Sequence, residues 1–252
     1  MAGNRLSAVI IARDEAHAIA DCLHSVQFAD EIVVVDSGSR DETPDIAKRL
    51  GARVIHQDWL GYGAQKQFAV EHASHDWILS LDADERISPE LRESIQQALL
   101  GPAAFAFEMP RRNRFMGRWL RHGEGYPDYN LRLFHREHAR WSEDAVHEHV
   151  LADGEVARLR GDLLHESEDG IEDYLRKQNH YTSLQARALF EAGKTAGPGK
   201  LLLSPALRFM KFYFFRLGFL DGVPGLVHIL IGCFNSFAKY AKLRELHGRD
   251  GA

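Results

Sequence analysis

Strand-like and helix-like segments alternate four times within the first hundred residues, and this order limits the possible folds of the chain. Runs rich in β-branched and other apolar residues predict strands at 6–12, 31–35, 53–56 and 76–81. Segments with helical spacing follow them at 16–27, 43–50, 64–72 and 88–100. Such alternation is typical of a mostly parallel sheet covered by helices, so we expect an α/β fold.

The pattern loosens after Gly101-Pro102. Further strands are predicted at 105–109 and 131–135, with short elements up to His165 and a helical segment at 170–191. The stretch 111–128 between the two strands is rich in Arg, Gly and aromatic residues, and we expect it to be too polar for a core. We expect 195–200 to form a loop or hinge. A helix is predicted to start at Ser204-Pro205, which match a cap and a first helical turn.

Charge is distributed unevenly along the chain. The 252 residues carry a formal net charge of −5. From Lys194 onward nine Lys and Arg stand against three Asp and Glu, so the first 193 residues have a net charge of −11. With 45% hydrophobic residues the chain is not expected to be disordered. These counts predict an acidic body that is followed by a basic, aromatic tail.

Several classes of protein are excluded by composition. The two cysteines lie far apart in sequence, which excludes a disulfide framework and favours a reducing compartment. The fourteen histidines are scattered without cysteine partners, so we expect no structural zinc. No segment has the features of a signal peptide, and no uncharged apolar run reaches about 18 residues, so no spanning helix is expected.

Acidic residues follow three of the predicted parallel strands. Asp14 and Glu15 follow the first strand, Asp36 follows the second, and Asp82 and Asp84 follow the fourth. Because ligands of open parallel sheets bind beyond the carboxyl ends of the strands, we expect these residues to lie together. Carboxylates suit Mg²⁺ or Mn²⁺, which share oxygen ligands with substrate phosphates. The sequence therefore predicts a site for a divalent cation and a nucleotide.

These motifs resemble those of the family 2 glycosyltransferases, which have the GT-A fold. The resemblance is carried by VIIARDE, VVVDSGSRDET, GYGAQKQ and WILSLDADERIS at 9–15, 33–43, 61–67 and 77–88. Within this family the chain is most similar to the lipopolysaccharide core glucosyltransferases. That narrower likeness is carried by LRLFHR, AVHEH, LHES and FLDG at 131–136, 145–149, 164–167 and 219–222.

The resemblance implies an inverting, metal-dependent transfer of a sugar from a nucleotide-sugar donor, UDP being favoured. The acceptor would be a hydroxyl of a lipid-linked glycan, with the lipopolysaccharide inner core expected. Asp84, Asp82 and His165 would bind Mg²⁺ or Mn²⁺, although a structural histidine is the alternative for His165. Contacts to the nucleotide-sugar are implied for Ala12, Asp14, Glu15, Asp36, Ser37, Gly38, Lys66, Asp82 and Ala83. A solvated lysine at the start of a helix is the more usual arrangement for Lys66.

Two departures from the family pattern leave the nucleotide open: Arg13-Asp14-Glu15 stands where Asn-Glu is more usual, and Ser37 where many members have Asp. Direct displacement also requires a base for the acceptor hydroxyl. Glu148 is preferred because Val-His-Glu matches the narrower family, with Asp144 as its rival and Glu143 as a third candidate.

Arginines with aromatic neighbours are candidates for acceptor binding, since guanidinium pairs well with phosphate. The acceptor residues predicted on this basis are Arg112, Arg114, Arg118 and Trp119. The acidic body argues against nucleic acid as a partner.

In the tail, Arg208, Lys211 and Arg216 fall on one helical arc opposite a Leu/Phe face. We expect this helix to lie on an anionic membrane surface, while packing on the body is the alternative. The apolar segment 223–234 is expected to be too short to span a membrane.

The predicted organisation is a GT-A catalytic domain at 1–168 followed by a helical, basic, membrane-associating extension at 169–252. The catalytic domain would comprise a nucleotide-sugar half at 1–100 and an acceptor half at 101–168. The protein would be cytoplasmic and peripheral on the inner membrane. Four alternatives stay open: a transferase acting on polyprenyl phosphate or another envelope glycan, a nucleotidyltransferase with a related α/β core, a phosphatase-like hydrolase with Asp82 as nucleophile, and a non-catalytic binding protein.

Overall fold

The computed structural model describes residues 4–144, 148–166 and 170–250, except for the side chains of Arg249 and Asp250. It divides into two compact units. The first comprises the chain up to Arg111 together with 128–166, and the second comprises 112–127 together with the chain from 167 onward. The sequence prediction assigned 112–127 to the catalytic domain, whereas in the structure this segment groups with the C-terminal helices.

Four parallel strands form the centre of the first unit, as predicted. They are β1 (Leu6–Ala12), β2 (Glu31–Asp36), β3 (Arg53–His56) and β4 (Trp77–Asp82), in the spatial order β3-β2-β1-β4. All seven residues of β1 are buried, which explains why it reads as a continuous apolar run. Ala12 pairs with Asp36, and Ile11 pairs with Asp82, so these three strands end at nearly the same level.

The four predicted helices of the first unit are present. They are α1 (Ile19–Ser25), α2 (Thr43–Arg49), α3 (Tyr62–Glu71) and α4 (Pro89–Leu100). Helix α1 starts three residues later than predicted, and the Ala16 amide that precedes it donates to the Asp41 carboxylate at 3.0 Å. At the start of α4, Ser88 Oγ accepts from the Leu91 amide at 3.3 Å, and Pro89 occupies the first turn.

The remaining strands are short apart from two. They are β5 (Glu85–Ile87), β6 (Ala106–Phe115), β7 (Arg118–Trp119), β8 (Asp128–His135), β9 (Ala139–Trp141), β10 (Val150–Ala152), β11 (Val156–Arg158) and β12 (Leu163–His165). Strand β8 pairs antiparallel with β4 and with the first six residues of β6. Strand β12 pairs antiparallel with β5, β11 pairs parallel with β6, and β9 pairs antiparallel with β10.

The strands predicted at 105–109 and 131–135 are longer in the structure than in the prediction. Strand β6 continues to Phe115, and β8 begins at Asp128. The last pair of this ladder joins Arg111 to Asp128, and the guanidinium donates to the carboxylate at 2.9 and 3.1 Å. Polar composition therefore did not exclude a strand, because opposite charges face each other across the ladder.

Alternate residues of β1 enter two hydrophobic clusters of the first unit. Ile10 packs in the cluster that includes Ile19 of α1 and Leu91 of α4. Val9 packs in the cluster that includes Ala69 of α3. The sheet is thus covered on both faces, with its carboxyl edge left for polar loops.

The second unit contains β7, three long helices and two irregular helical turns. The helices are α5 (Ile171–Glu191), α6 (Pro198–Phe209) and α7 (Gly222–Asp250), with a π-helical turn at Met210–Phe215 and a 3₁₀ turn at Gly218–Asp221. The loop prediction for 195–200 is wrong over its second half, because α6 begins at Pro198. Pro205, predicted to begin the helix, lies inside it.

Helix α7 also differs from the prediction. The apolar segment 223–234 is only part of α7, which continues to Asp250. Within the described ranges, one helical segment, Gly218–Gly248, is long and apolar enough by length and composition to cross a membrane. Its most apolar 18-residue window has a mean hydropathy of 1.3 and is 39% buried. The expectation that this apolar segment is too short to span is therefore wrong, whereas the absence of a spanning helix stays a prediction.

Candidate active site at the carboxyl edge of the parallel strands

The loop after β2 is folded around Asp36. This residue is 5% exposed, and its Oδ2 accepts hydrogen bonds from the amides of Gly38 at 3.0 Å and Ser39 at 3.1 Å. Its Oδ1 accepts from the Ser39 hydroxyl. Gly38 has φ +86°, a conformation that favours glycine. Asp36 therefore shapes the turn, and its predicted contact with the nucleotide stays a prediction.

The loop after β1 is joined to this turn by hydrogen bonds. The Asp14 amide donates to Ser39 Oγ at 2.9 Å, and Asp14 Oδ1 accepts from the Arg40 amide at 2.7 Å. The Glu15 amide donates to Thr43 Oγ1 at 2.8 Å. These hydrogen bonds thus hold the loops that follow Ala12 and Asp36 against each other at the carboxyl edge of the sheet.

A second set of contacts fixes the predicted nucleotide-binding serine. Ser37 is 8% exposed, and its Oγ accepts a hydrogen bond from Gln65 Nε2 at 3.0 Å. The same Nε2 also donates to the carbonyl of Gln57, and Gln65 Oε1 accepts from the Leu60 amide. Gln65 lies in the GYGAQKQ motif, but the sequence prediction assigned it no role, because its partners come from segments outside that motif.

Lys66 is buried, so the more usual arrangement of a solvated lysine is wrong here. It is 3% exposed and lies on the face of α3 that also buries Gln65, Ala69 and Val70. Its Nζ lies 3.1 Å from Asp82 Oδ1 and 3.1 Å from Glu148 Oε1. The ammonium therefore bridges the carboxylate that ends β4 and the preferred candidate base.

Arg132 of β8 is a site residue that the sequence prediction missed. It is 4% exposed and donates at 2.9 Å to both Asp82 Oδ2 and Glu85 Oε1. Glu85 is fully buried, and its Oε2 accepts from the Asp82 amide at 3.0 Å. The available signal was a charged residue between the apolar residues of the predicted strand at 131–135.

Asp82 thus lies between two cations. Burial alone would raise its pKa, but the charges of Lys66 and Arg132 outweigh burial and hold the pKa of this carboxyl well below its usual range. Burial lowers the pKa of Arg132, but the charges of Glu85 and Asp82 outweigh burial, so that the pKa is raised overall. Asp82 is therefore ionised with its charge already compensated. This environment suits a positioning carboxylate better than a metal ligand.

Asp84 and His165 form a separate pair. Because β12 pairs antiparallel with β5, His165 lies opposite Glu85, and its Nε2 is 3.1 Å from Asp84 Oδ2. Burial lowers the pKa of His165, but the hydrogen bond to Asp84 outweighs it and raises the pKa overall.

The donor atoms of this pair allow a test of whether a divalent cation fits. His165 Nε2 and Asp84 Oδ2 are 3.1 Å apart, so one ion can contact both atoms. A carboxylate oxygen with an imidazole nitrogen suits Mn²⁺ better than Mg²⁺, which prefers oxygen alone. These two residues therefore fit a cation, whereas Asp82 is occupied by Lys66 and Arg132.

The three candidate bases lie in different surroundings. The Glu148 side chain is 19% exposed and contacts Lys66. The Asp144 side chain is 56% exposed and lies 3.5 Å from His149 Nδ1, and Glu143 is exposed. Residues 145–147 of the AVHEH motif, including His147, lie outside the described residues. The structure thus groups Glu148, and not its rivals, with Asp82.

Gly63 of α3 allows this grouping. A Cβ at this position would lie 2.2 Å from the carbonyl oxygen of Ser142 and 3.5 Å from Glu148 Cβ. Any other residue would therefore collide with the backbone that leads to Glu148. The sequence contains the glycine, but its role depends on an approach between segments about 80 residues apart.

The predicted acceptor residues belong to the second unit. Arg114 lies 6.0 Å from the ring of Trp119, and Arg112 lies 5.3 Å from that of Tyr126. Arg118 donates to the Leu220 carbonyl at 3.0 Å. These contacts occur within the second unit, so acceptor binding by these residues stays a prediction.

Another group of potential metal ligands lies away from this edge. His135, Glu137 and His138 have ligand atoms within 4.8 Å of one another. His135 pairs with Trp77, which is the first residue of β4, whereas Asp82 is the last. This group is therefore at the amino end of β4 and forms no part of the candidate active site.

Comparison with known proteins was made on sequence and structure. Residues 7–153 match the family model described as Glycosyl transferase family 2. A lipopolysaccharide core biosynthesis glycosyltransferase, LpsC of Rhizobium meliloti (strain 1021), is 32% identical over 96% of this chain and 93% of its own. An uncharacterized glycosyltransferase of Rickettsia prowazekii (strain Madrid E) is 32% identical over 96% of this chain and 87% of its own.

Solved structures with the same fold are more distant in sequence. The mannosyltransferase PcManGT of Pyrobaculum calidifontis, solved with GDP-Man and Mn²⁺, has a TM-score of 0.55 at 18% identity, covering 96% of this chain and 88% of its own. Mannosyl-3-phosphoglycerate synthase of Rubrobacter xylanophilus has a TM-score of 0.51 at 19% identity, covering 77% and 76%. With a family model that spans more than half of the chain, these comparisons establish that the protein belongs to the family 2 glycosyltransferases and has the GT-A fold.

Proposed function

We propose that the enzyme transfers a sugar from a nucleotide-sugar donor to a hydroxyl of a lipid-linked glycan, with inversion at the anomeric carbon. The observation that carries this proposal is Lys66, whose Nζ lies 3.1 Å from both Asp82 and Glu148. It brings a candidate base to the strand end where the donor is expected. The likeness to LpsC, named for lipopolysaccharide core biosynthesis, supports the lipopolysaccharide core as the acceptor, and within it we propose the inner core.

The joined loops after β1 and β2 would hold the nucleotide. Their hydrogen bonds fix the backbone around Ala12, Asp14 and Gly38 before a donor arrives. A preformed backbone reduces the ordering cost of binding. Asp82, held by Lys66 and Arg132, would orient the donor through the backbone of Ala83.

The reaction proposed is a single displacement. The acceptor oxygen attacks the anomeric carbon, the bond from that carbon to the diphosphate breaks, and Glu148 takes the hydroxyl proton. A divalent cation held by Asp84 and His165 would offset the negative charge of the leaving diphosphate. Lys66 would keep Glu148 directed towards the end of β4.

The test is release of nucleoside diphosphate from a panel of UDP- and GDP-sugars with Mn²⁺, with and without truncated lipopolysaccharide. We expect acceptor-dependent release and a product of inverted anomeric configuration by NMR. Glu148→Gln should keep donor binding and lower the transfer rate by about 100-fold or more, whereas Glu155→Gln, at an exposed glutamate of the same unit, serves as the matched control. Asp84→Asn should abolish the Mn²⁺ dependence of donor binding.

The outcomes also separate the alternatives. A labelled sugar that is transferred to polyprenyl phosphate, and is then extracted into organic solvent, but is not transferred to lipopolysaccharide would identify polyprenyl phosphate as the acceptor instead. Release of pyrophosphate in place of nucleoside diphosphate would indicate a nucleotidyltransferase. Full transfer activity in Glu148→Gln would move the base to Asp144 or Glu143. No turnover of any donor would contradict the proposal as a whole.

A further inference from the structure

The second unit exposes many large apolar side chains between residues 202 and 223, which we name the apolar face. Three of them, Leu203, Leu207 and Met210, recur at helical spacing and lie on one side of α6 and its end. Phe215 is 81% exposed and Leu202 is 70% exposed. The apolar face consists of Leu202, Leu203, Leu207, Met210, Phe214, Phe215, Leu217, Phe219, Leu220 and Val223.

Such a surface is unusual for a protein that contacts only water. Monomeric soluble proteins rarely expose contiguous apolar patches larger than a few hundred Å². The segment 202–223 contains one acidic residue, Asp221, which is 1% exposed and accepts from the amides of Arg121 and His122. No carboxylate of this segment therefore opposes contact with an apolar or anionic partner.

The basic stripe predicted for this helix is not free to meet a membrane. Arg208 is paired with Glu124, and Arg216 donates to the Tyr126 carbonyl at 2.8 Å. Of the three predicted cations, Lys211 stays exposed. The prediction of a basic face is therefore wrong for two of its three residues, because both are bound to partners within the second unit.

Charge nevertheless distinguishes the second unit from the first. The second contains sixteen Lys and Arg against nine Asp and Glu, and the first contains fifteen against twenty-seven. The net charge of the second unit is therefore +7. A phospholipid surface with anionic headgroups is complementary to this unit, since it offers acyl chains to the apolar face and negative charge to the surrounding cations.

We propose that the apolar face inserts into one leaflet of a phospholipid bilayer and binds the protein peripherally, at the cytoplasmic face of the membrane. Insertion into one leaflet fits better than spanning, because α7 is held inside its own unit. Ser236 of α7 bonds to Ser204 of α6 at 2.8 Å, and Asn235 bonds to Gln178 of α5 at 2.7 Å. Spanning would require these contacts to break.

The driving force for membrane binding follows from the contacts of Arg208 and Arg216. Because Arg208 and Arg216 are engaged within the protein, binding depends mainly on buried apolar area and only secondarily on charge. Membrane binding of the wild-type protein should therefore survive high salt, which screens exposed charges. The surface lies outside the proposed active site, so this inference and the proposed function fail or hold separately.

The first test is flotation of the full-length protein with phosphatidylcholine vesicles, with and without phosphatidylglycerol, in low and high salt. We expect the wild type to float with both vesicles, more strongly with phosphatidylglycerol, and to stay bound in high salt. The triple variant Leu207→Glu, Phe214→Glu, Phe215→Glu should lose at least tenfold of the floating fraction. Leu100→Glu, which replaces a residue 69% exposed at the end of α4, is the matched control.

A probe gives a second readout that does not depend on disruptive changes. In Phe215→Cys labelled with an environment-sensitive dye, vesicles should raise the emission, whereas Leu100→Cys should not respond. The two native cysteines, Cys22 and Cys233, are buried and leave the introduced thiol as the reactive one.

Each of three results would overturn the proposal. The first is equal flotation of the wild type and the triple variant. The second is a wild-type dimer in lipid-free solution that the triple variant dissolves, since a second copy would then cover the face. The third is resistance of the membrane-bound wild type to extraction at alkaline pH, because that behaviour indicates a spanning helix. Donor turnover by the triple variant, measured with a soluble acceptor, should stay at the wild-type rate.

Discussion

Glu31 joins three segments at the amino end of the parallel strands. Its Oε2 accepts from Ser7 Oγ of β1 at 2.6 Å and from the Ser74 amide at 2.7 Å. Its Oε1 accepts from Ser74 Oγ at 2.8 Å and from the Arg53 guanidinium of β3 at 2.9 Å. Burial raises the pKa of Glu31, but these hydrogen bonds outweigh it and lower the pKa from 4.5 to about 2.

The size and sign of the effect on stability follow from this shift. A pKa difference of this magnitude corresponds to about 3 kcal/mol of unfolding free energy at neutral pH. The Glu31 side chain is 14% exposed, so solvent screening reduces this value only in part. Because the folded pKa lies below the unfolded one, the contribution is complete above pH 4.5 and is lost as the pH falls towards 2.

The measurement is urea unfolding of the wild type and Glu31→Gln at pH 7 and at pH 3. The variant should be less stable by about 3 kcal/mol at pH 7, and about half of this difference should remain at pH 3. Glu93→Gln on the exposed side of α4 is the control and should change stability by less than about 0.5 kcal/mol at either pH. A penalty for Glu31→Gln that is the same at both pH values would refute the ionic explanation.

Three further changes test the site. Arg132→Met removes the 2.9 Å hydrogen bond to the fully buried Glu85, leaves it only the more distant Arg111 at 3.7 Å, and should cost about 3 kcal/mol, seen as a lower Tm in calorimetry. Gly63→Ala puts a methyl group 2.2 Å from the Ser142 carbonyl oxygen and should lower kcat more than tenfold while donor affinity is kept. Gly199→Ala is its control and should leave kcat unchanged, because the added methyl group meets nothing within 4 Å. Lys66→Met removes the cation between Asp82 and Glu148 and should lower kcat about 100-fold, and a wild-type rate would show that the bridge plays no part in transfer.

The parallel half of the fold was predictable because its buried strands are built from runs of apolar residues, which are visible in the sequence. Every residue of β1 is buried, so its apolar run has a single interpretation. The start of α4 was equally clear, because Ser88 and Pro89 are the residue types that a cap and a first turn require.

The predictions failed where a polar residue has a distant partner. Lys66 is buried because Asp82 and Glu148, 16 and 82 residues away in sequence, compensate its charge. Arg208 turns inward because Glu124 lies 84 residues earlier. Helical spacing gives the direction of such a side chain relative to its neighbours on the helix, but not the presence of a partner from another segment.

The hydrogen bonds between the loops after β1 and β2, where we propose that the nucleotide binds, have a consequence for engineering donor choice. Ser39 receives the Asp14 amide, and Asp41 receives the amide of Ala16, so each loop supplies the partners of the other. Grafting residues 36–43 alone from another transferase would leave amides of 14–16 without acceptors and would distort the edge that it was meant to redesign. The two loops form one cassette, and an exchange of donor specificity should move 13–16 and 36–43 together.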